Sequence, residues 1–114
     1  MEFSFRVPHK PKPKGRPRLT RRGRAYTPKA TVEHEQAIAQ AYKDAEGPFF
    51  DGPIQVEVEY TTEDSYITIT DGVGASRVRA DIDNLVKATL DGLQGTAFDN
   101  DKQVVALYAF KEQT

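Results

Sequence analysis

The chain has 114 residues, with sixteen Lys and Arg, seventeen Asp and Glu, and no cysteine. This length predicts a single domain over residues 1–114 with a modest core, and the lack of cysteine excludes disulfides. No apolar run reaches membrane-spanning length, and the first ten residues lack the apolar core of a signal peptide. The sequence therefore predicts a protein of the reducing cytoplasm without membrane contact.

Charge is segregated along the chain. Residues 1–30 carry ten of the sixteen basic residues and one of the seventeen acids, which gives a net charge of +9, whereas the remainder carries −10. The overall charge of −1 therefore conceals a strongly basic start and an acidic remainder.

The chain begins with a short strand and a long basic loop. Alternating apolar residues predict a strand over residues 2–7. Residues 8–24 contain prolines and glycines that exclude helix and few apolar side chains, so we expect a loop there. We expect its basic side chains to bind nucleic-acid phosphates in a salt-sensitive, sequence-tolerant way. These are Lys10, Lys12, Lys14, Arg16, Arg18, Arg21, Arg22 and Arg24. A solvated segment that aids solubility is the alternative for such a loop taken alone.

A helix is expected next, with Thr27 as N-cap and Pro28 at the first helical position, and it runs to about residue 46. His34 within this helix and His9 in the loop have no partner that the sequence reveals. Both are interpreted as ordinary surface or core-edge histidines.

Further strands are predicted from alternation and from β-branched residues. Residues 54–60 alternate, with the apolar side chains expected to point inward, and residues 66–70 form a second β-branched strand. Residues 104–110 are expected to form a last strand. With a second helix before it, the order is β-α-β-β-α-β. This order predicts a compact α+β domain with two helices packed on one face of a mixed sheet.

The second helix belongs to an acidic segment over residues 79–101, which places five Asp around a single Lys. A helix that begins near Asp83 puts Asp83, Lys87 and Asp91 on one face, and an apolar stripe on another. Asp81, just before the helix, points the same way as Asp83 if the backbone there is extended.

Asp81 and Asp83 together predict a bound cation. Two carboxylates about 4 Å apart repel by ~4 kcal/mol at an effective dielectric constant near 20. Mg²⁺ or Mn²⁺ fits, because hard divalent ions prefer carboxylate oxygens. For this D-x-D taken alone, a helix-capping Asp beside a solvated Asp is the alternative explanation.

The run R-x-D-I-D-N-L-x-K-x-x-L-D-x-L from Arg79, followed by D-N-D-K-Q-V, resembles the signature of a known family. This is the RusA family of Holliday-junction resolvases, small metal-dependent endonucleases of bacteria and phages. The resemblance is close over residues 79–105, and looser in the G-R-P-R and A-Y-T-P stretches near the N-terminus.

The resemblance implies roles for particular residues. It implies that Asp81, Asp83 and Asp101 are metal-binding catalytic carboxylates, and that Lys87 is a further catalytic residue. The implied cofactor is Mg²⁺, with Mn²⁺ as a substitute. This chain departs from many relatives in one respect, since it has Asn100 and then Asp101 where they have two consecutive Asp.

The sequence therefore predicts an endonuclease that resolves Holliday junctions by paired, symmetric hydrolysis. Arg77 and Arg79 are then expected to hold the scissile phosphate, with surface charge pairing as their other explanation. Because a four-way junction has twofold symmetry, the resemblance implies a homodimer, acting in a bacterial or phage-infected cell. Two alternatives stay open. One is a non-catalytic accessory protein that binds branched DNA, and the other is an acid-rich protein-interaction domain.

Overall fold

A computed structural model describes residues 1–15 and 17–113. It contains two compact units, Met1–Val73 and Gly74–Thr114. In chain order the elements are β1 (Glu2–Val7), β2 (Arg18–Leu19), β3 (Ala25–Tyr26), α1 (Lys29–Asp44), β4 (Gln55–Tyr60), β5 (Ser65–Thr70), α2 (Ile82–Leu93) and a 3-10 turn (Asp101–Gln103). The α+β class with two helices is thereby confirmed. That the chain forms one domain stays a prediction.

The first unit contains a three-stranded antiparallel sheet in the order β1-β5-β4. In the central strand, Ile67 pairs with Phe5 of β1 on one side and with Val58 of β4 on the other. The predicted strands 2–7, 54–60 and 66–70 are therefore confirmed, each to within one residue.

The core of this unit lies between β1 and α1. Phe5 and Val7 are buried. The Tyr42 ring of α1 meets Phe3 and Phe5 edge to face, with ring centroids 5.4 and 5.0 Å away. Such aromatic pairs contribute about 0.5–1.5 kcal/mol beyond the area that they bury. The Tyr42 hydroxyl donates to the carbonyl of Pro48, which ties the chain after α1 to the helix.

Helix α1 is shorter at both ends than predicted. Pro28 has ψ 142° and is the N-cap, so the helix starts one residue later than expected. At the other end Glu46 adopts φ 57°. Its N–H donates to the Lys43 carbonyl, and the Gly47 N–H donates to the Tyr42 carbonyl. This is a Schellman ending, which stops the helix at Asp44.

The basic loop contains a small hairpin that the sequence did not predict. Strands β2 and β3 pair Arg18 with Tyr26 and Leu19 with Ala25. The Thr20 N–H donates to the Arg24 carbonyl at 2.8 Å and closes the connecting turn. Strands of two residues carry no periodic signal, which explains why this hairpin was missed. Arg16 lies outside the described residues.

Much of the apolar face of β4 is uncovered. Val58 and Tyr60 line a pocket together with Ile38 of α1, so they face the side of the sheet that carries the helix, as predicted. They are nevertheless 39% and 69% exposed, because α1 packs over β1 at the opposite edge.

The second unit holds α2 and an irregular C-terminal segment. None of the α2 residues is buried, and the predicted apolar stripe is open, with Leu85 39% exposed. The prediction of a strand over residues 104–110 is wrong, because the structure describes these residues and assigns no strand to them. A strand needs a hydrogen-bonding partner, and no described strand pairs with this segment. Among the described residues, no helix is long and apolar enough to cross a membrane.

Candidate active site and nucleic-acid interface

The start of α2 presents two carboxylates. Asp81 occupies the N-cap position with extended backbone, and its carbonyl accepts the Leu85 N–H at 3.1 Å. Its side chain makes no capping hydrogen bond, so helix capping does not occupy the carboxylate. Asp83 follows in the first helical turn, where the helix dipole favours a negative charge. Both side chains are exposed. The predicted helix start is correct to within one residue.

Lys87 lies one turn after Asp83 on α2, and Asp91 lies one turn further. An i,i+4 pair of opposite charges commonly forms an ion pair on a helix. Among residues 1–15 and 17–113, however, no ion pair is formed by Asp81, Asp83, Lys87 or Asp101. The charges of this face are therefore open to an external ligand.

Asp101 is placed by a short turn that Asn100 caps. The Asn100 Oδ1 accepts the Lys102 N–H at 2.9 Å. The Gln103 Oε1 accepts two backbone N–H groups, from Asp99 at 2.9 Å and from Asn100 at 3.0 Å. These bonds form a capping box around the 3-10 turn, with Asp101 exposed in its first position. The departure at Asn100 thus has a structural role, because this residue caps the turn that contains Asp101.

The donor chemistry of Asp81, Asp83 and Asp101 fits a hard divalent ion, because all three offer carboxylate oxygens and none forms an ion pair with a described residue. Their arrangement is not that of a closed site. In the part of the chain that the structure describes, no three His, Cys, Asp or Glu side chains are grouped closely enough to hold a metal.

Arg77 and Arg79 precede α2 and are exposed. The Val78 carbonyl between them accepts a hydrogen bond from the Lys111 ammonium at 3.1 Å, and this bond connects the C-terminal segment to this stretch. Neither arginine forms an ion pair with a described residue, so surface charge pairing does not account for them here.

The basic loop presents its charges in two groups. The first group follows β1 and lies against α1, where the Gly15 N–H donates to Thr31 Oγ1 at 2.9 Å. The second group surrounds the β2–β3 hairpin. All described members are exposed. They are Lys10, Lys12 and Lys14 in the first group, and Arg18, Arg21, Arg22 and Arg24 in the second.

Sequence reasoning missed two interactions of titratable groups. His9 and His34 contact each other through their Nδ1 atoms at 2.8 Å. The pKa of His34 is lowered from its ordinary value, mainly by burial and further by the positive charges of His9 and Lys12. The second is the buried carboxylate of Asp64, which accepts hydrogen bonds from Thr61 and Arg6. The T-T-E-D turn between two strands was the one available signal for it.

A carboxylate-rich helix start and a separate basic arm are features of enzymes that cut nucleic acids. A family model described as endodeoxyribonuclease RusA matches residues 8–114. The chain therefore belongs to the RusA family of endodeoxyribonucleases, as the sequence motif predicted. No curated protein and no solved structure matches the chain significantly.

Membership implies a hydrolase with Holliday-junction resolvase activity, which acts on branched DNA. Nucleases of this family depend in general on divalent metal ions. Asp81, Asp83 and Asp101 are among the described side chains that offer carboxylate oxygens, the donors that such an ion prefers.

Proposed function

We propose that this protein resolves Holliday junctions by metal-dependent, paired hydrolysis of two strands, with Asp81, Asp83 and Asp101 as the metal-binding carboxylates. The observation that carries the proposal is the set of exposed carboxylates on α2 and the adjoining turn, which have no ion-pair partner among the described residues. Mg²⁺ is the proposed ion, with Mn²⁺ as a substitute.

The chain's own residues hold the substrate and balance its charge. When bound, a divalent ion activates water and stabilises the leaving oxygen in an in-line displacement at phosphorus. Lys87 neutralises charge that develops on the phosphate oxygens, or orients Asp83 one turn away. Arg77 and Arg79 hold the scissile phosphate, since both are exposed and unpaired among the described residues.

The basic loop holds the arms of the junction. A site rich in carboxylates repels a polyanion, so a separate cationic surface is needed to retain it. The described cations of the loop are exposed, and a charge of +9 is concentrated in the first thirty residues. Each neutralised phosphate releases counterions, which makes such binding strong and salt-sensitive.

We further infer a homodimer, because two strands must be cut symmetrically at a junction with twofold symmetry. The exposed apolar side chains of the C-terminal segment support this inference. Val105, Tyr108 and Phe110 are 95%, 84% and 80% exposed, and large uncovered apolar surface commonly marks an interface. The proposed place of action is the cytoplasm of a bacterium, with or without an infecting phage.

The second candidate is an accessory protein that binds branched DNA without cutting it. The absence of a three-ligand metal group among the described residues favours it. One experiment separates the two candidates. An end-labelled, fixed four-way junction and a linear duplex of the same sequence are incubated with the protein in Mg²⁺ or in EDTA. Paired nicks in the junction alone, present only with Mg²⁺, support the resolvase. Tight binding without any cut supports the accessory protein.

A further inference from the structure

Three contacts hold the first part of the basic loop on α1, and their partners on the helix lie within residues 31–35. His9 contacts His34 at 2.8 Å. The Gly15 N–H donates to Thr31 Oγ1 at 2.9 Å, and Lys14 lies 3.9 Å from Glu35. Thr31 and His34 are 5% and 8% exposed, whereas the Lys14 side chain is 77% exposed. The two buried contacts are therefore the ones that fix residues 9–15, which we call the tethered segment.

The Lys10 carbonyl indicates which histidine carries the hydrogen of the His9–His34 bond. His9 Nδ1 lies 3.1 Å from the Lys10 carbonyl oxygen as well as 2.8 Å from His34 Nδ1. A carbonyl oxygen can only accept, so His9 Nδ1 carries the hydrogen. His34 Nδ1 is then the acceptor. The contact therefore requires neutral His34 with its proton on Nε2, and it tolerates either charge on His9.

We propose that the His9–His34 hydrogen bond positions the tethered segment for junction binding, and that it opens when His34 takes up a second proton. This inference rests on the proposed function, since it assumes that the basic loop holds DNA. Protonated His34 presents an Nδ1–H to His9 Nδ1, where the Lys10 carbonyl holds the hydrogen of His9, so the two N–H groups oppose each other and the contact is lost.

The groups around the pair set the pH at which it opens. His34 lines a pocket of about 330 Å³ with Lys12 and Lys14, which gives solvent protons a route to the buried ring. Burial, His9 and Lys12 lower the pKa of His34, and Glu35 on α1 opposes them. The hydrogen bond is thus closed above about pH 6.5, the ordinary histidine value, and opens as the pH falls through the lowered pKa.

An ordered segment binds more tightly than a loose one, because less conformational entropy is lost on binding. Extra positive charge acts in the opposite direction, since protonated histidines attract phosphates. Loss of order and gain of charge therefore change the affinity for DNA in opposite directions as the pH falls. Two substitutions separate these effects. In His34→Asn the amide oxygen replaces Nδ1 as an acceptor that does not titrate. In His9→Ala the donor is removed.

The first test needs no DNA. The amide signal of Gly15, which is bonded to Thr31, is followed by NMR from pH 7.5 to 5 beside the ring signals of His34. We expect the Gly15 signal to titrate with His34 in the wild type and to stay constant in His34→Asn. A Gly15 amide signal that stays constant while His34 titrates in the wild type would overturn the inference.

The second test measures affinity for a four-way junction at constant ionic strength without divalent metal. At pH 7.5 we expect His9→Ala to bind about fivefold more weakly, the equivalent of one hydrogen bond, and His34→Asn to bind like the wild type. Lowering the pH to 5.5 should make the wild type bind more weakly than His34→Asn, because only the wild-type contact opens. Equal affinities in all three proteins would overturn the positioning role. They would leave the resolvase proposal standing, because that proposal is judged by Mg²⁺-dependent cutting.

Discussion

The Arg6 guanidinium donates a 2.7 Å hydrogen bond from Nε to the carboxylate of Asp64 and so joins β1 to the turn between β4 and β5. The Thr61 hydroxyl donates to the other oxygen of that carboxylate. These two donors lower the pKa of Asp64, with Thr61 as the larger cause and Arg6 as the second. Asp64 is 8% exposed, so the ionised carboxylate is a buried element of the first unit and contributes to its stability.

Asp64 should therefore contribute a pH-dependent stability. Its folded pKa is lowered, so the contribution is complete above the unfolded value of about 3.9 and is lost as the pH falls through the folded pKa. We expect Asp64→Asn to lower the melting temperature at pH 7 and to reduce the further loss of stability below pH 4. Thermal denaturation between pH 2 and pH 7 measures both. Glu63→Gln, at an exposed neighbour, should retain the wild-type profile, and an identical loss in that variant would contradict the role of Asp64.

Asp81→Asn should abolish junction cleavage in Mg²⁺ and leave junction binding unchanged or tighter, since one negative charge is removed from a surface that meets phosphates. Cleavage and binding are measured on the same fixed junction. The matched control is Asp91→Asn, an exposed acid further along the same helix. Equal loss of binding and cleavage in Asp81→Asn would indicate a folding defect and count against the catalytic assignment.

Magnesium should stabilise the wild-type protein. A ligand that binds the folded state alone contributes about 2.7 kcal/mol at a concentration of 100 Kd. We expect the melting temperature to rise across a Mg²⁺ titration, and to rise much less in Asp81→Asn. A flat wild-type titration would argue against a divalent-cation site on these carboxylates.

Removing the cap at Asn100 should loosen the turn that presents Asp101. We expect Asn100→Ala to cost about 1 kcal/mol of local stability, the usual value of a lost cap, and to slow cleavage because Asp101 is less well ordered. Asn100→Asp keeps a capping oxygen and should retain both properties. Hydrogen exchange at the Lys102 amide reports the cap directly. If Asn100→Ala protects that amide as well as the wild type does, the capping role is wrong.

The arginines at the tip of the β2–β3 hairpin should contribute to salt-dependent binding. The slope of log affinity against log salt falls by about 0.9 for each duplex phosphate contact that is lost. Arg21→Gln combined with Arg22→Gln should therefore reduce the slope by about 2. Lys43→Gln, at the far end of α1, serves as the control and should change it little. An unaltered slope in the double variant would place the DNA contacts elsewhere.

The regular elements were predictable where a repeating pattern spans several residues. Strands β1, β4 and β5 alternate or are β-branched, and α2 shows helical spacing from Ile82. The failure at residues 104–110 has the same origin, since an apolar run indicates strand tendency but does not supply a pairing partner. Helix ends were less accurate, because Pro28 and Glu46 act through their backbone angles.

The candidate carboxylates were predictable because the motif places them at fixed intervals on one short segment. The His9–His34 and Arg6–Asp64 contacts were not predictable, since each joins residues far apart in sequence. His9 meets His34 across 25 residues, and Arg6 meets Asp64 across 58. Asn100 and Gln103 are close in sequence, yet their capping box becomes visible only once the turn is known.

The acidic side chains of β4 have a second role, because this strand lies at the edge of the sheet. Glu57 and Glu59 project from this edge strand, opposite Thr68 and Tyr66. Charged side chains on an edge strand deter pairing with strands of other molecules, which is a route to aggregation. Substitution of both glutamates with Gln removes these charges and weakens the deterrent. The colloidal stability of the protein should then decline through its sheet edge, independently of the nuclease site.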